Sequence, residues 1–520
     1  MHKKFALLFT LIFFLFSGTS IHAAPAKFPA VPATAPVAVP PRTVTEAVPA
    51  EKQLMLRQPD GKLVSIGTAI TGRYQILLPV ELVKEQSPES RFWITRESGR
   101  AYLDISQPDF RLETSKTSEW LQPGIQLNFL TKTINNRDYI NVWGLETLLG
   151  LRFTSESAVP AGSDKNKDSK DNTGKTTSRL ILEPLTLPKG SPAPMLNQPR
   201  TSARLAGRVN LAWDYVHRHS PDLAKEEPIK GLNVLSPTWF AITDSDGTVT
   251  SNADARYVQD AHDKNYKVWA LITNSFDEDL TRDLLQNSQA QDNVIRQLVV
   301  YASLYNLDGV NIDFENVYTA DRDRLTAFTA RLADALKEQK VTLSMDTTVP
   351  IGQSRTCYDW KALSESLDYL MIMTYDEHWQ AGPSSGSVAS LNWVERGVAN
   401  SLNYVPKDRL VMGIPFYTRE WEEVDSVKIR SRVFTMADTE ARIKEINAPL
   451  VWLPDSGQYY LEYYRDGRRY RIWVEDENSI RLKAGLVGKY NLAGAASWRR
   501  GFENKNVWDA LQVVHESGNE

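Results

Sequence analysis

The sequence predicts an α/β fold: a (β/α)8 barrel with an α+β insertion between strands seven and eight, preceded by a small, mainly β domain. Three observations predict it. From about residue 207 onward, eight apolar runs of strand length alternate with longer amphipathic runs. No glycine-rich phosphate turn follows the first of these strands, as an open doubly wound sheet would want. The interval from 417 to 490 is too long for one strand-to-helix connection and carries its own hairpin signal at Asp466 and Gly467.

Taken in chain order, residues 1–24 have the layout of a secretory signal peptide: Lys3 and Lys4, an apolar run from Phe5 to Phe16, then small residues to Ala24. The apolar run is short for a bilayer span, and either cleavage or retention as an anchor is compatible with it. Residues 25–50, rich in Ala, Pro and Val, read as an extended tether. Residues 51–155 show short alternating runs around Phe92 to Thr95 and Ala101 to Ile105, with turn signals at Asp60-Gly61 and Ser98-Gly99, and so predict a small β domain. A strand near Tyr139 is expected to lead into a short helix closed by Gly150. Residues 156–200 read as a flexible linker, most polar over 156–180.

The barrel occupies 201–520. Its strands are expected at 208–213, 232–239, 267–272, 309–315, 341–347, 369–375, 410–416 and 493–498. Helices are expected between them, for example at 253–264, 292–305 and 322–338. The insertion, at about 417–490, is dense in aromatic residues.

Bulk properties exclude several function classes. A net charge of −4 over 520 residues gives no footing for a nucleic-acid partner. The single cysteine, Cys357, excludes an intramolecular disulfide and reads as a structural thiol, since no His or Asn spacing supports a nucleophile. No metal-ligand spacing appears, so neither metal nor cofactor is expected.

The chemistry is concentrated at strand ends. In the fourth strand, alternation sends Asn311, Asp313 and Glu315 to one face and Val310, Ile312 and Phe314 to the other. An amide and two carboxyls in one column are costly to bury unless paired or used. Strand six ends in Met373, Thr374, Tyr375 and Asp376, followed by Glu377, His378 and Trp379. Strand seven ends in Gly413, Ile414, Pro415, Phe416 and Tyr417, and strand eight at Trp498. In a (β/α)8 barrel all these ends meet on the active-site rim.

The run Asp308, Asn311, Asp313, Glu315 resembles the Asp-x-x-Asp-x-Asp-x-Glu motif of glycoside hydrolase family 18, with Asn311 where the family has its middle Asp. Together with the other strand ends, the resemblance covers about 205–516. It is nearer to the bacterial spore-cortex and peptidoglycan N-acetylglucosaminidases, which share the stretches 309–317, 374–379, 413–419 and 473–476 and also carry Asn at the middle position. Members of that subgroup carry peptidoglycan-binding repeats, which this chain does not show. Residues 51–155 resemble the copper amine oxidase N-terminal-like domain, a non-catalytic envelope module, and no copper site is carried over.

The resemblance implies a secreted or envelope glycosidase acting on an N-acetylglucosamine-containing polysaccharide. The polysaccharide is peptidoglycan or cortex fragments, with chitin as the alternative and a non-catalytic amino-sugar binder as a second. It implies substrate-assisted, retaining catalysis, with the substrate's acetamide as nucleophile. Glu315 would be the acid and later the base, Asp313 would orient the acetamide, and Tyr375 would bind its oxygen. Trp498 would floor the sugar, while Asn311, Asp376, Trp379, Trp473 and Tyr417 would complete the binding site. Asp376 reads equally as a structural residue, and Trp379, Trp421 and Trp473 equally as core rings. With an amide at 311 instead of a second carboxylate, Asp313 is expected to ionise more easily. The 51–155 domain is expected to mediate any cell-wall association.

Overall fold

The structure is a computed structural model. It describes residues 204–516 except 218, 352–355 and 426, and upstream of these residues 50–58, 60–72, 74–86, 92–95, 100–105, 111–113, 118–120, 125–143, 151–157 and 178–184. The signal segment, and the tether up to residue 49, lie outside the described residues, as do the Ser98-Gly99 turn and the helix expected before Gly150.

Eight parallel strands form the barrel: β1 Val209–Asp214, β2 Val234–Ile242, β3 Lys267–Thr273, β4 Gly309–Asp313, β5 Thr342–Thr348, β6 Tyr369–Met373, β7 Leu410–Pro415 and β8 Gly494–Trp498. Each pairs with its sequence neighbours. β1 closes the ring, with Leu211 beside Val234 on one edge and beside Ala496 on the other. Around it lie α1 Ala255–Asp263, α2 Glu278–Gln286, α3 Ser288–Leu304, α4 Arg322–Lys337, α5 Trp360–Ser366, α6 Leu391–Ser401, α8 Glu477–Lys489 and α9 Asn506–Leu511.

Strand alternation divides the apolar residues between two cores. Val310, Ile312 and Phe314 join the layer between strands and helices, while Leu211, Trp213, Trp269, Leu271, Met371 and Ala496 fill the barrel interior. Gly309 is a packing requirement, because a Cβ there would lie 2.5 Å from the Trp269 ring.

A lobe follows β7. Tyr417–Val424, Val427–Thr435, Val451–Leu453, Gln458–Arg465 and Arg468–Val474 form a five-stranded sheet, with α7 Met436–Ile446 over a core of Phe434, Leu461 and Ile472. The expected limit of 490 needs correcting. α8 lies against β7, β8 and α9, so the chain has returned to the barrel after Val474.

Upstream, a second sheet of nine strands is built from Ala50–Arg57, Leu63–Gly72, Gln75–Pro79, Phe92–Thr95, Arg100–Ile105, Ile125–Ile134, Arg137–Asn141, Leu151–Ser157 and Ser178–Pro184. The Asp60-Gly61 turn joins the first two strands, with the Gly61 N–H donating to the Gln58 carbonyl at 2.8 Å. The last strand corrects the linker reading. Leu180, Ile181 and Leu182 are buried, and the strand runs parallel to Ala50–Arg57. Its apolar run, Leu180 to Leu182, is too brief to stand out from the polar stretch before it. This sheet gives no strand to the barrel but touches its helices: the Arg296 guanidinium of α3 lies 5.2 Å from the Trp143 ring centroid, and Gln75 donates to Glu338.

Candidate active site

Regular pairing of β4 ends at Asp313, so Glu315 stands just beyond the strand at the barrel mouth. Two side chains hold its backbone there. The Glu315 N–H donates to Asn274 Oδ1 at 3.1 Å, and Asn274 Nδ2 donates back to the Glu315 carbonyl at 2.7 Å and to Thr281 Oγ1 at 2.8 Å. Tyr358, itself buried, donates its hydroxyl to the Phe314 carbonyl at 2.7 Å. Neither Asn274 nor Tyr358 was recognised in the sequence. A lone amide after a strand and a tyrosine before a helix carry no local pattern of this use.

Burial pushes the Asp313 carboxyl up to about 8, helped by the charge of Glu315. Burial likewise raises Glu315 to about 7, helped by Asp376. The expectation that Asp313 ionises readily is therefore corrected. The Asn311 amide does not serve Asp313: Nδ2 donates to Ser344 Oγ at 3.1 Å and to Asp346 Oδ1 at 2.9 Å, while Oδ1 accepts from Trp213 Nε1 at 2.9 Å.

Asn311 is also corrected as a substrate-binding residue. It is fully buried beneath the site and engaged by protein on both ends of its amide. Asp308, the first motif residue, sits at the opposite end of β4. It pairs with His262 at 2.7 Å and Lys267 at 3.1 Å and accepts from the Val268 N–H, a structural anchor whose pKa those partners lower despite burial.

The other strand ends converge as expected of a barrel rim. Tyr375, following β6, has its ring 6.4 Å from that of Tyr417 at 72°. Burial raises both phenols well above their usual range, so both remain donors. The Tyr417 hydroxyl donates to Asp376 Oδ1 at 2.7 Å, and Arg419 stands 3.9 Å from the same oxygen. Gly413 makes room for Tyr375, since a Cβ would lie 2.8 Å from its ring and 2.9 Å from the Ile372 carbonyl. Trp498 is part-buried at the end of β8, its ring 5.9 Å from that of Trp213.

The peripheral aromatics divide. Trp379 is half exposed on the loop after β6. Trp473 lies in the lobe sheet, partly exposed, against Tyr460 at 5.0 Å and beneath Arg471 at 4.8 Å. Trp421 is fully buried, with Nε1 donating to the Gly386 carbonyl, and serves as core. Glu377 and His378 brace the loop: Glu377 accepts from the Ser390 N–H at 2.9 Å, and His378 Nδ1 lies 2.9 Å from the Ser387 carbonyl. Tyr215 and Phe276, exposed after β1 and β3, are further rim aromatics that escaped the sequence reading. Among the described residues no group of His, Cys, Asp and Glu is placed to hold a metal ion. Cys357 is part-buried, and burial raises its thiol, which disfavours a thiolate.

This site coincides with a family match. The pattern of glycosyl hydrolases family 18 covers residues 214–503, more than half of the chain. The chain is similar to an uncharacterized glycosylase, YvbX, of Bacillus subtilis, at 26% identity over 293 residues, 54% of this chain and 84% of that protein. It is similar to the cortical fragment-lytic enzyme of Bacillus anthracis, at 24% over 306 residues, 55% of this chain and 70% of that one. Two solved structures show the same fold. One is a chitinase from Chromobacterium violaceum, with a TM-score of 0.54 at 24% identity, covering 60% of this chain and all of that one. The other is the spore cortex-lytic enzyme SleL of Bacillus megaterium, with a TM-score of 0.55 at 19% identity, covering 65% and 80%.

Proposed function

The chain belongs to glycosyl hydrolases family 18 and is a glycosidase, and from that premise we propose that it cleaves β-1,4 N-acetylglucosamine linkages of peptidoglycan or cortex fragments with substrate assistance. The observation that carries the reading is the Asp313–Glu315 pair at the barrel mouth, both raised by burial, with Tyr375 and Trp498 on the same rim. A carboxyl near 7 keeps a large protonated fraction at neutral pH, as a general acid requires.

In the proposed reaction the substrate's acetamide oxygen attacks the anomeric carbon while Glu315 gives its proton to the departing glycosidic oxygen. Asp313 accepts from the acetamide N–H and balances the positive oxazolinium. Tyr375, kept protonated, donates to the acetamide oxygen. Glu315, now a carboxylate, takes a proton from water, which adds to the anomeric carbon and restores the original configuration. Trp498 supplies an apolar floor, and Tyr417 holds Asp376 at 2.7 Å beside the entering sugar. Trp379 and Trp473 are proposed platforms for neighbouring sugars.

Cortex or peptidoglycan is preferred because a relative over more than half the chain is named a cortical fragment-lytic enzyme. Export by the segment 1–24 and wall association through the upstream sheet belong to the same proposal. Glu315→Gln tests the acid: it preserves shape and is expected to lower turnover at least about a hundredfold with the fold intact. Near wild-type turnover would sink the mechanism. Mass spectrometry of products from muropeptides beside chitooligosaccharides decides the substrate. Preference for the latter makes the protein a chitinase, and binding without products makes it an amino-sugar binder.

A further inference from the structure

The second carboxyl that Asn311 leaves out of β4 has a counterpart on β5. Asp346 is buried to 2% exposure in the barrel interior. The register pairs Asn311 with Ser344 and Ile312 with Met345. One step further along both strands, Asp313 and Asp346 stand side by side on the inward face, about 5 Å apart at the backbone by sheet geometry. The Asn311 amide donates to Asp346 Oδ1 at 2.9 Å, which commits that oxygen as an acceptor. A proton on Asp346 is therefore carried by Oδ2. The same amide is fixed from behind by Trp213 and Ser344, so the orientation of Asp346 is set by neighbours on β1, β4 and β5.

Resting on the proposed reading of the site, we propose that Asp346 is a positioning residue that stays protonated and donates from Oδ2 to the Asp313 carboxylate, supplying from β5 the carboxyl partner absent at Asn311. Two neighbouring buried carboxyls cannot both ionise cheaply, and one proton shared between them is the stable arrangement. The groups acting on Asp346 agree. Burial raises its carboxyl well above the ordinary value, and the carboxylates of Asp313 and Glu315 raise it further against the opposing Asn311 hydrogen bond. The other ionisable neighbours of the cluster are Tyr375, Asp376, Tyr417 and Tyr358. The positive charge at their edge, Arg419, lies 3.9 Å from Asp376 and is not among the groups acting on Asp313 or Asp346. Asp313 therefore gives up its proton first, and an O–H to carboxylate hydrogen bond, stronger than an amide to carboxylate one, holds the anion that faces the oxazolinium.

The test is Asp346→Asn in the full chain, assayed for kcat, KM and the pH profile on a fluorogenic N-acetylglucosamine oligosaccharide. The amide keeps the acceptor for Asn311, so a merely structural role would leave all three unchanged, and that result would overturn the proposal. The expected result is kcat lower by at least about tenfold, a share of what positioned acid–base groups supply. KM should stay within about twofold, and the acid limb should move to higher pH, because Asp313 loses its better donor. A limb moving to lower pH would mean that Asp346 is an anion repelling Asp313, and would equally overturn it. Returning the carboxyl to β4, as Asn311→Asp with Asp346→Asn, is expected to recover most of the lost kcat; a folded double variant as impaired as the single one counts against the proposal.

Should Asp346→Asn not fold, the wild-type acid limb decides. A slope of one in log rate against pH fits a pair that loses one proton, and a slope of two overturns the shared proton. Glu315→Gln, run in parallel, separates the two levels. If it is as active as wild type, the reading of the site fails and this proposal with it. If it is inactive while Asp346→Asn matches wild type, only the present proposal fails.

Discussion

Asn274 is the side chain whose loss would most directly separate fold from chemistry. It holds the Glu315 peptide from both sides, through bonds of 3.1 and 2.7 Å, and is itself fully buried. Asn274→Leu keeps the volume and removes both partners, stranding one N–H and one carbonyl. At about 1–3 kcal/mol for each stranded group the range is about 2–6 kcal/mol, and the part exposure of Glu315 puts the expectation near 2–4 kcal/mol. The acid is then free to drift from the glycosidic oxygen, and a displacement on the order of 1 Å is enough for about a hundredfold in rate. The expected outcome is a folded protein, less stable in urea by that amount, whose kcat falls about ten- to a hundredfold with KM little changed. Asn274→Asp is the partner variant: it keeps the acceptor for the N–H but turns an oxygen toward the Glu315 carbonyl, so it should be impaired as well. If Asn274→Leu turns over a soluble oligosaccharide within threefold of wild type, the clamp does not position the acid and the argument is wrong.

Three further outcomes follow. With Glu315 raised to about 7 and required protonated, and Asp313 raised to about 8 and required ionised, kcat/KM is expected to peak between about 7 and 8 and to fall about tenfold per pH unit above about 8. Between the ordinary carboxyl range near 4 and about 7, the native state holds a Glu315 proton that the unfolded chain releases, so this group's contribution to stability declines as pH rises. Glu315→Gln should therefore gain about 1–2 kcal/mol on wild type between pH 5 and 8, the full shift being discounted for part exposure, and an unchanged difference in urea titrations would refute the shift. A chain beginning at Thr201 is expected to keep turnover on soluble oligosaccharides and to lose sedimentation with purified wall, since the upstream sheet lends no strand to the barrel. Lost soluble activity would make the contacts through Trp143 and Gln75 part of the catalytic fold.

The barrel was legible because parallel strands buried on both faces read as apolar runs, and because the functional residues cluster at their C-terminal ends. The first strand was expected at 208–213 and is Val209–Asp214, and the last was expected at 493–498 and is Gly494–Trp498. Alternation placed Asn311 and Asp313 on the interior face and Phe314 under the helices. What alternation does not give is the partner across the sheet. Asn311 looked like a neighbour of Asp313 because both lie on one strand, yet its amide turns to Ser344 and Asp346 on the next. Asp346 sits between Met345 and Thr347 in a run without a local motif, and its importance depends on inter-strand register. The strand Ser178–Pro184 and the end of the lobe at Val474 were misjudged for a related reason, since both are defined by what they pair or pack with far along the chain.

The cluster of Asp313, Glu315 and Asp346 also explains why the mouth of this barrel is built differently from its base. At the base, Asp308 faces His262 and Lys267, and these partners hold its carboxyl well below the usual range despite burial. At the mouth the three carboxyls face each other, an amide and phenols, and burial raises every one of them. Both ends belong to the same strand, β4, and the same low-dielectric interior, so the difference lies in the partners and not in depth. An ion pair at the mouth would be as good a structural solution as the one at the base, but it would leave Glu315 without a proton to give at neutral pH. The arrangement trades stability for a store of protons where the reaction needs them, which is a reason to find it at the open end of the barrel only.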